Sequence, residues 1–404
     1  MERDTDPKRD ASPTYSRNPS RDYPIIVHSH LRWDWVWQRP QQFLSRLSRT
    51  HRILYVEGPF PSEAVAEPTA TRVEVSDFPN ITVLQSAFPA CRWHESAWVD
   101  GERLRLVQEA LGGPLAGQFC DPLHWFYDPM AVTAFAGRMN EIAVVYDCMD
   151  ELSQFKGAPP ELVKREQQLL AIADVVFAGG LKIHRAKSRH NPNCHAYGCG
   201  VDERHFALAR NGSSVTPHDI RHLKGTVLGF FGVVDERMDY ELVAKLADAD
   251  PTWHLVMVGP RTKVEEAVLP RRANIHWLGG RDYAELPHYA SRFDACLMPF
   301  ALNEATEFIN PTKALEYMAT GRPIVSSAIE DVVRQFSHVA TVAESHEEFI
   351  AHCRRAVESP DAARLRQGIE LARSNSWEAI VEKLERHIHE ALLNREERAD
   401  GCAA

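Results

Sequence analysis

Nowhere in its 404 residues does the chain hold an apolar run near the roughly 20 residues that a bilayer-spanning helix needs. Residues 1–22 lack the apolar centre of a signal peptide and read as a disordered tail, so a soluble, cytoplasmic protein is expected. The eight cysteines include no Cys-x-x-Cys pair and are too sparse for a disulfide scaffold, which leaves reduced, buried thiols. Positive charge is in deficit: 46 Lys and Arg against 56 Asp and Glu give a net charge of -10. That balance excludes a surface held mainly to nucleic acid or to anionic lipid by basic residues. Metal-ligand spacing is also missing. His218 and His222 stand four apart in a polar stretch with no Glu or Cys to complete a set, and Asp248 and Asp250 bracket Ala249 at a helix end, where capping is their use. No metal is expected, and no internal repeat is visible.

What is present is a two-part α/β grammar. A chain of this length with 44% hydrophobic residues can bury two cores. PIIVH, RILYV, ITVLQ, LHWFY, IAVVY and DVVFA are apolar on both faces, as strands of a helix-covered parallel sheet are. Between them lie helical periods such as Pro40 to Arg49 and Pro160 to Ala173. The polar stretch 208–225 reads as a linker, after which TVLGFF, WHLVMV, NIHWL, DACLM and PIVSS repeat the pattern. The expected division is a tail at 1–22, a domain at 23–207, a linker at 208–225, a domain at 226–376 and a terminal helix at 377–404.

The richest stretch is NEATEFINPTKALEYMATGRPIVSS, from Asn303 to Ser327. Asn310 suits an N-cap, Pro311 the first helical position, and Gly321 the helix end. Ala314, Leu315 and Met318 form the buried stripe, which sets Lys313 and Glu316 on another face. A lysine in the first turn opposes the helix dipole unless an anion meets it there. A diphosphate would meet both Lys313 and the N–H groups of the helix start, and Glu316 could accept from two ribose hydroxyls. As a purely structural alternative, the two are a surface ion pair worth about 0.2–0.5 kcal/mol.

PTKALEYMATGRPIVSS resembles the donor-binding helix of GT-B glycosyltransferases, the bacterial family 4-like enzymes of glycosyl transferases group 1 in particular. The resemblance implies an α/β fold of two doubly wound Rossmann-like domains facing a central cleft, with the C-terminal helix returning to the N-terminal domain. It implies a metal-independent hexosyltransferase without a cofactor, its co-substrate a nucleotide-diphosphate sugar of UDP or GDP form. In that group two glutamates flank the helix start; the second matches Glu316, while the first falls on Phe308, with Glu304 and Glu307 close by. The glycine turn of VLGFFGVVDER, with Gly232, is similar to the turn that faces the donor phosphates, and Arg237 stands for the basic pair that follows, Val233 replacing its partner. Gly279, Gly280 and Arg281 resemble the turn that holds the base edge through main-chain groups. The implied donor set is Gly232, Arg237, Gly279, Arg281, Asn310, Thr312, Lys313 and Glu316.

SHLRWDWVWQRPQQF follows the first strand, at the end where ligands bind in such sheets. Its aromatic and bidentate polar groups suit a saccharide or lipid-linked acceptor, which nominates Arg32, Trp33, Asp34, Trp37, Gln38 and Arg39, although some of the tryptophans can equally anchor the loop in the core. The segment and GCGVDERHF resemble a bacterial subgroup of envelope polysaccharide synthesis, which implies peripheral contact at the inner face of the membrane. VVYDCMDE offers Asp147 and Asp150 as catalytic carboxylates, with turn capping as the structural alternative. Either one serves as base with inversion, or both position substrate with retention. A nucleotide-sugar 2-epimerase of the same fold, or an inactive nucleotide-sugar-binding protein, is the alternative activity.

Overall fold

The computed structural model describes residues 23–35, 37–155, 157–212, 215–302 and 312–402. They fall into two compact units: a first that runs to Gly198 and resumes at Lys383, and a second from Cys199 to Glu382.

Nine strands build the first unit's sheet: β1 (Ile25–Ser29), β2 (Ile53–Glu57), β3 (Phe60–Ser62), β4 (Thr69–Glu74), β5 (Ile81–Pro89), β6 (Leu123–Phe126), β7 (Ala143–Cys148), β8 (Val175–Ala178) and β9 (Cys194–Ala196). Their order is β3-β5-β2-β1-β6-β7-β8-β9, with β4 antiparallel on β5 and the other pairings parallel. β1, β2, β6, β7 and β8 are buried along their whole length, the state expected of parallel strands covered by helices. From β1 the chain builds outward through β2, then crosses back to add β6 on the other side, so the strand order reverses between β1 and β6. Open α/β sheets bind ligands at such a reversal, beyond the carboxyl ends of the two strands.

The second unit carries β10 (Val227–Phe231), β11 (His254–Val258), β12 (Ile275–Gly279), β13 (Ala295–Met298), β14 (Ile324–Ser327) and β15 (Thr341–Ala343) in the order β12-β11-β10-β13-β14-β15, all parallel. Its reversal lies between β10 and β13. Both units are thus doubly wound α/β sheets, each with one switch point.

The boundaries differ from the sequence expectation. Phe206, Ala209, Ile220 and Leu223 belong to the second unit's core, so 208–225 is no free linker, although its Val215 is exposed. Val201 and Ser376 form a parallel bridge inside this unit, which places the residues just after 198 and just before 383 side by side. The helix Trp377–Cys402 gives its first residues to the second unit and the remainder to the first. In the first unit its His387 stacks on His195 at 3.7 Å and hydrogen-bonds the Tyr197 hydroxyl at 2.9 Å, while Arg395 pairs with Asp174. Among the described residues no helix is long and apolar enough to cross a membrane.

Candidate substrate-binding sites

At the second unit's switch point β10 ends in Gly232, whose φ of 142° is open to glycine but strained for other residues. A Cβ there would overlap the Lys313 side chain, 2.5 Å from Nζ. Gly259 beyond β11 has φ 151°, and a Cβ on it would strike the Gly232 carbonyl. The two glycines let the loops close under the lysine. Lys313 rides in the first turn of the helix Thr312–Thr320, half-buried, and has no hydrogen-bond or ion-pair partner among the described residues. The helix is fixed to β10 by the Tyr317 hydroxyl, which accepts from the Phe231 N–H at 3.0 Å. One turn on, burial pushes the Glu316 carboxyl upward, and the nearby Lys313 charge opposes the shift. A cation without a partner among the described residues is therefore held at a positive helix end, over backbone that favours glycine.

The other donor candidates divide. Arg237 is gripped by the buried Asp235, whose oxygens accept from its Nε at 2.9 and 3.0 Å. Arg281 is tied to Asp219 and the Tyr289 hydroxyl, both at 2.8 Å, and to the Leu278 carbonyl. Its guanidinium is committed to the framework, which leaves main-chain groups to meet a ligand. Gly279 closes β12 with φ 71° and lines a cavity of about 240 Å³ with Gly259, Trp277 and Arg261. Thr312 begins the helix; Asn310, Glu304, Glu307 and Phe308 lie outside the described residues, as does the Thr312 side chain.

In the first unit the structure redraws the expected site. Asp147 on β7 is fully buried, and Arg39 donates to it from Nε at 3.0 and 3.1 Å and lies 2.9 Å away through Nη2. Arg39 also donates to the Tyr197 and Gly198 carbonyls at 2.5 and 3.2 Å. Burial raises the Asp147 pKa and the Arg39 charge opposes it. This pair is an internal strut between β7 and the end of the first unit, so neither a catalytic base at Asp147 nor an acceptor contact at Arg39 is compatible with its closed geometry. Asp150 is half-buried, with no hydrogen bond or ion pair to its carboxylate among the described residues.

Trp33 is buried, its N–H donating to Glu57 at 2.9 Å and its ring edge-on to Tyr55, Trp37 and Phe78. It anchors the loop and is no acceptor platform. Gln38 precedes the helix Arg39–Leu47 as its N-cap, its backbone N–H donating to Gln41 at 3.1 Å. Trp37 leans on Phe78 and stays about half exposed, and Asp34 faces solvent. Arg32 stands 5.0 Å over the Phe60 ring and opens onto a cavity of about 530 Å³ at the carboxyl ends of β1, β2 and β6.

Residues 226–359 match the family model described as Glycosyl transferases group 1. This segment of the second unit is similar to that family. The matched residues contain the β10 turn, the Lys313 helix and the Gly279 turn. Over 264 residues the chain is 24% identical to TuaH of Bacillus subtilis (strain 168), whose name assigns it to teichuronic acid biosynthesis as a glycosyltransferase. The match takes in 60% of this chain and 65% of that protein, so the chain spans somewhat under two thirds of the relative's length. Among solved structures, the E. coli trehalose-6-phosphate protein bound with UDP-2-fluoro glucose superposes with a TM-score of 0.58 at 13% identity, over 90% of this chain and 99% of that one. A UDP-forming alpha,alpha-trehalose-phosphate synthase from Burkholderia xenovorans gives 0.60 at 13% identity, over 92% and 99%. The fold is therefore GT-B, two Rossmann-like units with a C-terminal helix.

The first unit's cavity holds residues the sequence pattern did not single out: His30, Phe60 and Trp93. Trp35, which the motif left open between an acceptor contact and a loop anchor, is 76% exposed and lines the cavity. Position after β1 was the usable signal for His30; Phe60 and Trp93 are remote in sequence and meet it only through the strand order.

Proposed function

We propose that the chain is a glycosyltransferase that moves a sugar from a nucleotide-diphosphate sugar, bound by the second unit, to a saccharide or lipid-linked acceptor, bound by the first, in cell-envelope or exopolysaccharide synthesis. The observation that carries this reading is Lys313: a cation with no described partner, set in the first turn of a helix and over Gly232 at the switch point of the sheet. Such a charge is unfavourable at a helix start unless an anion arrives, and a diphosphate is an anion that main-chain N–H groups and an ammonium hold together. Glu316, next on the same face, is placed to accept from ribose hydroxyls. Charge neutralisation of the leaving diphosphate by Lys313 and the helix start supplies what a metal does elsewhere. The named relative's place in teichuronic acid biosynthesis supports an envelope polysaccharide, and the UDP-forming neighbours make UDP-sugars the first donors to test. The aromatic-lined cavity in the first unit favours transfer to an acceptor over epimerisation of the donor alone.

Thermal-shift titration with UDP- and GDP-sugars tests the donor site. Stabilisation by one of them should fall by tenfold or more in apparent affinity in Lys313→Ala, since a charge-assisted contact contributes about 1.5–3 kcal/mol. Equal stabilisation of both proteins would place the diphosphate elsewhere.

A further inference from the structure

We infer that the 530 Å³ cavity of the first unit seats a neutral pyranose ring of the acceptor, with one ring hydroxyl donating to Nε2 of His30. This rests on the transferase reading, and it narrows the acceptor to a neutral pyranose and adds His30, Phe60 and Trp93 to the residues that meet it.

His30 follows β1 at the switch point, and its Nδ1 lies 3.2 Å from the Tyr127 carbonyl, next to β6. A carbonyl oxygen only accepts, so Nδ1 carries the hydrogen of the neutral ring and Nε2 presents a lone pair. Nε2 has no partner among the described residues, and His30 lines the cavity. A hydroxyl is the complementary donor.

The wall around it is neutral by construction. Arg103 pairs with Asp128 at 3.1 Å, and Arg165 reaches both oxygens of Asp100 at 2.9 and 2.8 Å. Asp128 also accepts from the Met130 N–H. These side chains are about nine-tenths buried and their charges cancel in pairs. At the rim Arg32 and the exposed Glu161 have opposite signs. No excess cation remains to select a phosphorylated or carboxylated sugar. Apolar ring faces are available instead: Trp35, Phe60 and Trp93 are 76%, 39% and 39% exposed and all line the cavity. Flat aromatic faces beside fixed polar groups fit a pyranose, which has apolar C–H faces and hydroxyls around its edge.

The test titrates the protein, alone and with saturating UDP or GDP, with the methyl glycosides of glucose, galactose, mannose, rhamnose and N-acetylglucosamine. Methyl glucuronide and glucose 6-phosphate serve as anionic comparators, and tryptophan fluorescence and ligand-observed NMR are the readouts. At least one neutral glycoside should saturate, and Trp35→Ala and His30→Asn should each weaken it tenfold or more. The asparagine amide can still donate to the Tyr127 carbonyl but has no atom at Nε2. As a check free of variants, ¹⁵N-histidine spectra of the native protein should show His30 as the Nδ1–H tautomer with an Nε2 signal that moves on glycoside binding. Binding of the anionic comparators only, binding of no glycoside, an Nε2–H tautomer, or unaltered affinity in both variants overturns the inference. Failure of the transferase reading shows separately, as a nucleotide sugar that does not stabilise the protein.

Discussion

Asp147 and Arg39 show how one residue pair can look catalytic in sequence and be structural in space. A carboxylate at a strand end and an arginine in a loop after β1 read as site groups, but the two side chains close on each other with almost no exposure. Removing one charge strands the other in the interior. Asp147→Asn should therefore destabilise the first unit by about 3–5 kcal/mol, measured by urea unfolding. A stable variant that loses only turnover would restore the catalytic reading. A second residue-scale prediction concerns His28 and His124, buried rings stacked among Phe126 and Phe135 whose four nitrogens have no partner among the described residues. Burial, each other's proximity and Arg103 hold His28 well below its ordinary value, and burial brings His124 to about 4. Because the folded values are depressed, the unfolded chain binds protons first. The stability is complete above the unfolded value and is lost as pH falls through about 6.5 toward 4. For His124 alone this amounts to about 3 kcal/mol. Urea midpoints at pH 7, 5.5 and 4.5 should fall less steeply in His124→Leu than in the native protein; parallel slopes would contradict the burial argument.

At the scale of elements, legibility followed periodicity. The six strands read in the first half and the five in the second are all present, because continuous β-rich apolar runs between turns leave little alternative. β3, β4, β9 and β15 carry no such run: β3 and β4 are largely exposed, and β9 and β15 are three residues long. The helix Ser96–Gly112 is hidden for another reason, since its inward face includes Asp100 and Arg103, whose charges are satisfied by Arg165 and Asp128 from distant segments. The stretch 208–225 was misread because its three inward residues, Ala209, Ile220 and Leu223, make no period. Ile220→Ala should cost about 2–5 kcal/mol of second-unit stability as a core truncation. A change within about 0.5 kcal/mol, as at a surface position, would show the stretch to be a linker after all. The Lys313 helix was legible because cap, stripe and misplaced cation coincide within one turn. The cavity was not, because its wall is assembled from the segments that follow β1, β2 and β6 and from two helices.

Across the whole molecule, each sheet has one switch point, with His30 beside the first and Lys313 beside the second. The C-terminal helix belongs to the first unit from Lys383 onward, with Leu384, Ile388, Ala391 and Leu392 buried. Ending the chain at Glu382 should lower first-unit stability by several kcal/mol, at about 1.5–3 kcal/mol per large buried apolar side chain. Two-step thermal unfolding would show the first unit's step moving and the second unit's staying. The central claim concerns the anion that Lys313 awaits, and a crystal structure with bound UDP tests it most directly. The account predicts diphosphate oxygens within hydrogen-bond distance of Lys313 Nζ and of main-chain N–H groups at the Gly232 turn or the helix start. Well-ordered UDP lodged elsewhere, with Lys313 untouched, would contradict it.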